Sequence, residues 1–386
     1  MEPRTYITDT ISLSLEERFE HVAIFGASGT GKSITMLRLL LADIIDNGHG
    51  ITLIDPHGSL AAAFLERLPK YLDNRIAILD FEDRDMAVGI DFLSCDPHMV
   101  VPTADSVTEA LHSVWAHSWG PELSRTLRHS LVALIESRHT SLALLPRLLN
   151  NSEFRASVVD RVKNPITKAY FLDYATWGPK LQNQRTASTL NKIEGLLINP
   201  RTCAMLGQLH GKFSYEHAIE RGKIIVASLP NRELGDNAST VAAILISRLL
   251  SAAMKRAAHD KTAIPHHLYV DECHVVGGAI LRRVLKEARK FRLSATLATQ
   301  EVSTLDEDIR NTILSSTTAI ISFAQGRADA ELLSGRYNDT HRDFNPQALV
   351  DQPKRAAIVA IRGRQLEHKP QRPPAAVPAG DFHAIQ

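Results

Sequence analysis

Two short stretches of this 386-residue chain carry residue types suited to phosphate chemistry. The first is "GASGTGKS" (26–33), which fits G-x-x-x-x-G-K-[ST] at every fixed position. Its glycines let the backbone turn tightly and aim N–H groups at phosphate oxygens, and the helix that follows adds the positive end of its dipole. Gly26, Ser28, Gly29, Thr30, Gly31, Lys32, Ser33 and Ile34 are therefore expected to cradle ATP. In that cradle Lys32 reaches the β- and γ-phosphates and the Ser33 hydroxyl ligates Mg²⁺. The second stretch is "HHLYVDECHVV" (266–276), an apolar strand that ends in Asp271 and Glu272. Adjacent carboxylates after a buried run are costly unless something cationic or reactive meets them.

Ligands of parallel sheets sit at the carboxyl ends of strands, which would bring Asp271 to the edge where Gly26 ends its own strand. Asp271 is then expected to hold Mg²⁺, through water, and Glu272 to act as the base that orients the attacking water. Gln300 closes "LSATLATQ" (293–300) and is expected to sense the γ-phosphate. Asp55 closes "GITLID" (50–55) and is expected to support Lys32 or the metal-bound waters, although Asp-Pro also opens ordinary turns. Cys273 and His274 follow the acidic pair, but their spacing matches no zinc finger or ribbon.

These residues need a scaffold, and the chain supplies an alternation of strand and helix signals. "HVAIFG" (21–26), "GITLID" and "RIAILDF" (75–81) read as buried strands. Helical patterns at 33–46 and 60–68 separate them. Strands return at "KIIVASL" (223–229), "HLYVDE", "LSATLATQ" and "TAIISFA" (318–324), with helices near 238–258, 279–291, 306–315 and 328–335. This alternation predicts an α/β fold, a mostly parallel sheet with helices on both faces. Between 103 and 220 the strand signals stop and amphipathic helices take over, with Leu123, Leu127, Leu131 and Leu134 three or four residues apart. The expected organisation is a first core part (1–102), an all-helical insertion (103–220), a second core part (221–370) ending in a hairpin at 355–370, and a Pro-rich tail (371–386).

A net charge of +1 offers no global field toward nucleic acid or membrane. Cys95, Cys203 and Cys273 lie far apart, which fits a reducing, cytoplasmic setting better than a disulfide framework. The longest apolar run (240–258) carries Arg248, Lys255 and Arg256, so it reads as a core helix and not a membrane span.

Taken in order and with their gaps, "GASGTGKS", "LIDPHG", "LYVDE" and "LKEARKFRLSATLATQ" resemble the HerA/FtsK superfamily of P-loop ATPases. The likeness is greatest to HerA-like domains and to the TraG/TraD-type coupling proteins of type IV secretion, over roughly residues 15–370. The resemblance implies a RecA-like core, a homohexameric ring with ATP sites between subunits, and double-stranded DNA or a secretion substrate as cargo. It implies Glu272 as catalytic base, Gln300 as sensor and an arginine acting across the interface, with Arg289 the first candidate and Arg310 and Arg327 behind it. It departs from the family in having too few residues before the first strand for an N-terminal barrel, and no membrane helices.

The expected function is a cytoplasmic, ring-forming Mg-dependent ATPase that translocates duplex DNA. Two alternatives remain: a coupling ATPase serving a secretion machine, and a nucleotide-switched scaffold for a nuclease or other effector of a defence system. The basic run "LRRVLKEARKFR" (281–292) offers cations that could grip DNA phosphates, but they spread around the helix instead of lining one stripe, and a solvated helix flank is at least as good a reading.

Overall fold

The computed structural model describes residues 4–8, 11–81, 88–208, 211–260, 262–341 and 344–364. The strands are β1 (Arg4–Tyr6), β2 (Ser12–Ser14), β3 (Val22–Phe25), β4 (Gly50–Asp55), β5 (Ile76–Asp80), β6 (Ile224–Ser228), β7 (His266–Val270), β8 (Leu293–Thr299), β9 (Ala319–Ser322) and β10 (Ile358–Ile361). β1 and β2 pair antiparallel as a small separate ribbon, which sequence reading did not anticipate. The other eight form one sheet in the order β10-β9-β3-β8-β7-β4-β6-β5. From β9 to β6 every neighbouring pair is parallel, and β10 closes one edge antiparallel to β9.

Strands β3, β4, β7, β8, β9 and β10 are buried at every residue. Burial on both faces of a parallel sheet is why these segments read as continuous apolar runs without alternation. The chain leaves β3 for β4, yet β8 and β7 lie between them in space. This reversal of strand order opens a crevice at the carboxyl edge, where ligands of such sheets bind. β10 finds its partner in β9, so the expected hairpin at 355–370 has only its first strand described. Residues 365–370 and the tail 371–386 lie outside the described residues.

The chain divides into two units. One comprises Met1–Ile78, Glu216–Leu229 and Ala252–Gln386, and the other Leu79–Tyr215 with Pro230–Ser251. In the second unit the described elements from Pro97 to Leu206 are all helical, and Leu123, Leu127, Leu131 and Leu134 are buried as the periodicity requires. Its bounds differ from 103–220 because packing, not periodicity, sets them. A parallel bridge joins Ile90 to Phe213, and the Ser106 and Ser247 hydroxyls lie 2.6 Å apart. Neither long-range pairing has a local signature. The helix Asn237–His259 is long and apolar enough to cross a membrane by length and composition, and 78% of its apolar window is buried within the fold.

Within the first unit a buried polar network ties the N-terminal segment to the sheet. The Arg18 guanidinium lies 2.6 Å from Asp43 Oδ2, and both side chains are essentially inaccessible. Tyr269 OH donates to the same oxygen at 2.5 Å and Thr5 Oγ1 donates to Asp43 Oδ1 at 3.1 Å. Burial alone would push the Asp43 carboxyl up, but the charges of Arg18 and His267 and the bonds from Tyr269 and Arg18 bring it down to about 2. Asp43, His49 and His267 stand close enough to surround an ion. Their donors are nonetheless spent on one another: His267 bonds His49 at 2.9 Å and Ser294 at 2.6 Å, and Arg18 already neutralises Asp43. The network is a staple made of protein groups, with only Arg18 Nε left unpartnered among its described polar atoms. Removing one member of a buried pair strands the other's charge. Arg18→Met is therefore expected to destabilise the protein by roughly 3 kcal/mol or more. Urea unfolding at pH 7 would measure it, and a loss below about 1 kcal/mol, the level of an exposed pair, would refute the assignment.

Candidate active site

The parallel register sets the site. Phe25 pairs with Thr299, Leu297 with Val270, and Val270 with Ile54. The residues that follow these strand ends, Gly26, Gln300 and Asp271, must therefore emerge on one edge, as must Asp55 at the end of β4. That edge was the expectation.

After β3 the chain turns through residues 26–31 into the helix Lys32–Leu41. The helix starts at Gly31, with no side-chain cap and no acidic residue in its first turn, so its leading N–H groups are open to an anion. Gly31 has φ 130°, a conformation that other residues rarely adopt. A Cβ there would meet Phe323 Cε1 at 2.7 Å, and one at Gly26 would meet Phe323 Cβ at 2.6 Å. The loop is thus shaped by Phe323 as well as by its own glycines. Backbone bonds fix its flanks, from Ala27 N to Ala324 O and from Arg355 N to Thr30 O. Ser28, Ser33 and Ile34 are exposed, whereas Lys32 is buried and donates to Gly26 O at 2.7 Å. Burial lowers the Lys32 pKa, and the charges of Glu272 and Asp271 oppose that shift. The lysine and the acidic pair therefore share one electrostatic site.

Asp271 and Glu272 are both buried. The Asp271 N–H continues the sheet pairing to Ile54 O at 3.0 Å, and its Oδ1 accepts from Glu272 N at 3.1 Å. Burial, then the charges of Asp55 and Glu272, raise the Asp271 carboxyl to about 6. A cluster of like charges held from water in this way is suited to a divalent cation, which removes the repulsion. Glu272 adopts a left-handed conformation (φ 47°, ψ 57°), rare for a residue with a side chain. It is clasped by Gln300, whose Nε2 donates to Oε1 at 2.8 Å and whose backbone N donates to Oε2 at 3.3 Å. Burial would raise Glu272, but hydrogen bonds from His274 and Gln300 and the charge of Lys32 hold it below the usual carboxylate range. Two adjacent carboxyls are thus pushed in opposite directions, the arrangement that separates a metal-dependent group from an ionised base.

Other expected residues sit differently. Asp55 Oδ1 accepts from His57 N at 2.9 Å and Oδ2 from Ala61 N at 2.8 Å. Its carboxylate shapes the turn into the helix Ser59–Leu65, so its bonds go to backbone and not to Lys32; its charge still reaches Asp271. Arg289 lies in the turn Ala288–Phe291 that leads into β8, at the amino edge of the sheet and away from this chain's own site. There it pairs with Glu20 at 2.5 Å and its side chain is 56% exposed. Arg310 is in the helix Glu307–Ser316, and Arg327 opens the helix Arg327–Asn338 and pairs with Glu331 at 3.1 Å. Much of the basic run 281–292 is already neutralised: Arg282 pairs with Asp308, Arg283 with Glu287 and Arg289 with Glu20. Burial pushes the Cys273 thiol far above its ordinary value, which keeps it protonated. Sequence reading missed Phe323 and Arg355, because their contacts with the loop arise from sheet order and have no motif.

Residues 7–195 match the family model described as "Helicase HerA, central domain". Among solved structures, the plasmid coupling protein TrwB in complex with the GTP analogue GDPNP is 16% identical, with TM-score 0.68, over 98% of this chain and 92% of that one. TrwB in complex with ADP and Mg²⁺ gives the same identity and TM-score over 97% and 92%. VirB4 of Thermoanaerobacter pseudethanolicus is 16% identical over 92% of this chain and 90% of that one, with TM-score 0.57. A comparison with curated protein sequences finds no match.

The raised Asp271 pKa has a consequence for stability. Folding favours its protonated form, so its favourable contribution is complete below pH about 4 and is lost as pH rises through about 6. Asp271→Asn removes the buried charge. In nucleotide-free protein it is expected to be more stable than the parent by about 1–3 kcal/mol at pH 8, with the difference vanishing near pH 4. Urea unfolding at the two pH values decides it; a pH-independent difference would contradict the burial argument.

Proposed function

We propose that this chain, whose residues 7–195 match the HerA central-domain model and whose fold resembles that of TrwB and VirB4, is a HerA-like, Mg²⁺-dependent ATPase that assembles as a ring and moves double-stranded DNA. One observation carries the hydrolytic part. Lys32 and the Asp271–Glu272 pair, distant in sequence, share one electrostatic site at the carboxyl edge of the sheet.

The residues fit the nucleotide and its ion: an uncapped helix start, a buried lysine, and a carboxyl cluster whose mutual repulsion a divalent cation would relieve. Ser33 and Asp271 would hold Mg²⁺, which when bound supplies charge neutralisation to the phosphates. The N–H groups of residues 26–34 would bind phosphate oxygens, and Lys32 would exchange Gly26 O for them. Glu272, held ionised, takes a proton from the attacking water at a carboxylate oxygen. Gln300, now on Glu272, would turn its amide toward the γ-phosphate and so report its presence.

Ring assembly would complete the site through an arginine of a neighbouring subunit. Arg289 remains the first candidate, because it is exposed and stands away from its own chain's site, as a group serving a neighbour must. A second reading, delivery of a DNA or protein substrate to a secretion machine, draws support from the TrwB-like fold over nearly the whole chain.

Lys32→Ala is expected to abolish nucleotide binding or turnover. Glu272→Gln should keep ATP binding while lowering turnover by about 100-fold or more. Glu272→Gln turning over at the parental rate would remove the base assignment. ATPase rate with and without duplex DNA, taken with particle mass in solution, tests the rest. Stimulation in a hexamer-sized particle supports the translocase. A DNA-independent rate in a ring favours delivery of another substrate, and a DNA-independent monomer discards the motor.

A further inference from the structure

Gln300 is not the only side chain that reaches Glu272. The left-handed Glu272 opens the 3-10 turn Cys273–Val275, which turns the chain back on itself. His274 is thereby returned to the carboxylate that precedes it by two residues. Its Nδ1 lies 3.4 Å from Glu272 Oε2 and 3.2 Å from Thr299 Oγ1. Thr299 is the fully buried last residue of β8, paired in register with Phe25 immediately before the phosphate loop. It is a fixed anchor, and the one Nδ1 of His274 lies between it and the carboxylate, so a single N–H is shared by the two oxygens.

The chemistry of these atoms decides what His274 can do. An ionised carboxylate only accepts, so the ring must present an Nδ1–H to it. A nitrogen that already carries a hydrogen cannot take the proton that Glu272 gains from water, so a relay through Nδ1 is ruled out. A hold remains. It is needed because the other holder, Gln300, is shared. Its side-chain amide sits on Glu272 Oε1, and the proposed sensing role draws that amide toward the γ-phosphate. Oε1 then loses its donor. Oε2 keeps only the Gln300 backbone N–H, at a long 3.3 Å, and His274. Without His274 a carboxylate on a strained backbone has one weak restraint at the moment it must be aimed.

We propose that His274 is a positioning residue for Glu272, anchored on Thr299, that keeps the carboxylate oriented when Gln300 engages the nucleotide. This rests on the reading of Glu272 as the catalytic base. His274 is 39% exposed, so its replacement leaves the core intact.

The test compares kcat and nucleotide affinity of the full chain with Mg-ATP for the parent, Glu272→Gln, His274→Ala and His274→Asn. His274→Ala is expected to lower kcat roughly tenfold with nucleotide affinity changed by less than about twofold, as for loss of an orienting partner. His274→Asn should recover most of the loss, because its amide N–H can stand where Nδ1–H stood. Parental kcat in His274→Ala would overturn the proposal, as would equal impairment of the Ala and Asn variants. If instead the parent does not hydrolyse ATP, or Glu272→Gln matches it, the base assignment fails and this inference with it. That failure is visible without either His274 variant.

Discussion

The site depends on how much negative charge the carboxyl edge of the sheet can hold. Parallel pairing of β3, β8, β7 and β4 brings Asp55, Asp271 and Glu272 into one buried region with Lys32. Water cannot screen the cluster, so each carboxylate must be stabilised by a specific donor or stay protonated. Asp55 is stabilised by two backbone N–H groups and Glu272 by Gln300 and His274. Asp271 has a backbone N–H and little else, and its pKa rises to about 6. The unequal distribution of donors is what differentiates three chemically similar groups.

The same edge stores strain. Glu272 is held in a left-handed conformation that costs on the order of 1–2 kcal/mol for a residue with a side chain. The Gln300 clasp offsets part of that cost, and it links the two residues on which hydrolysis would turn. Movement of the Gln300 amide would remove its bond to Glu272 Oε1 and leave the Gln300 backbone N–H and His274 on Oε2. Arg18, Asp43, Tyr269 and His267 instead bond one another in a fully buried network.

The phosphate loop illustrates how packing and local sequence share a task. Its glycines allow the turn, but Phe323 occupies the space that side chains at Gly26 and Gly31 would need. Phe323 belongs to the segment after β9 and bonds Phe25 through its backbone N–H. The loop is therefore clamped by a neighbour in the sheet that lies about 300 residues away in the chain. Arg355, in a positive-φ conformation, fixes Thr30 from another side.

Local sequence alone determined the glycine loop, the strands and helices of the core, and the residues Lys32, Asp271, Glu272 and Gln300, because each is defined by a short pattern of apolar runs, glycines and terminal polar groups. Even the common edge of Gly26 and Asp271 followed, since parallel strands must end together. Only the tertiary structure decided the roles of the rest. Asp55 turned to backbone, Arg289 lies at the far edge beside Glu20, and His274 and Phe323 joined the site through sheet order and a reversed turn. The pairing of Ile90 with Phe213 likewise has no local signature. These depend on which distant groups become neighbours when solvent is excluded, and no stretch of contiguous residues encodes that.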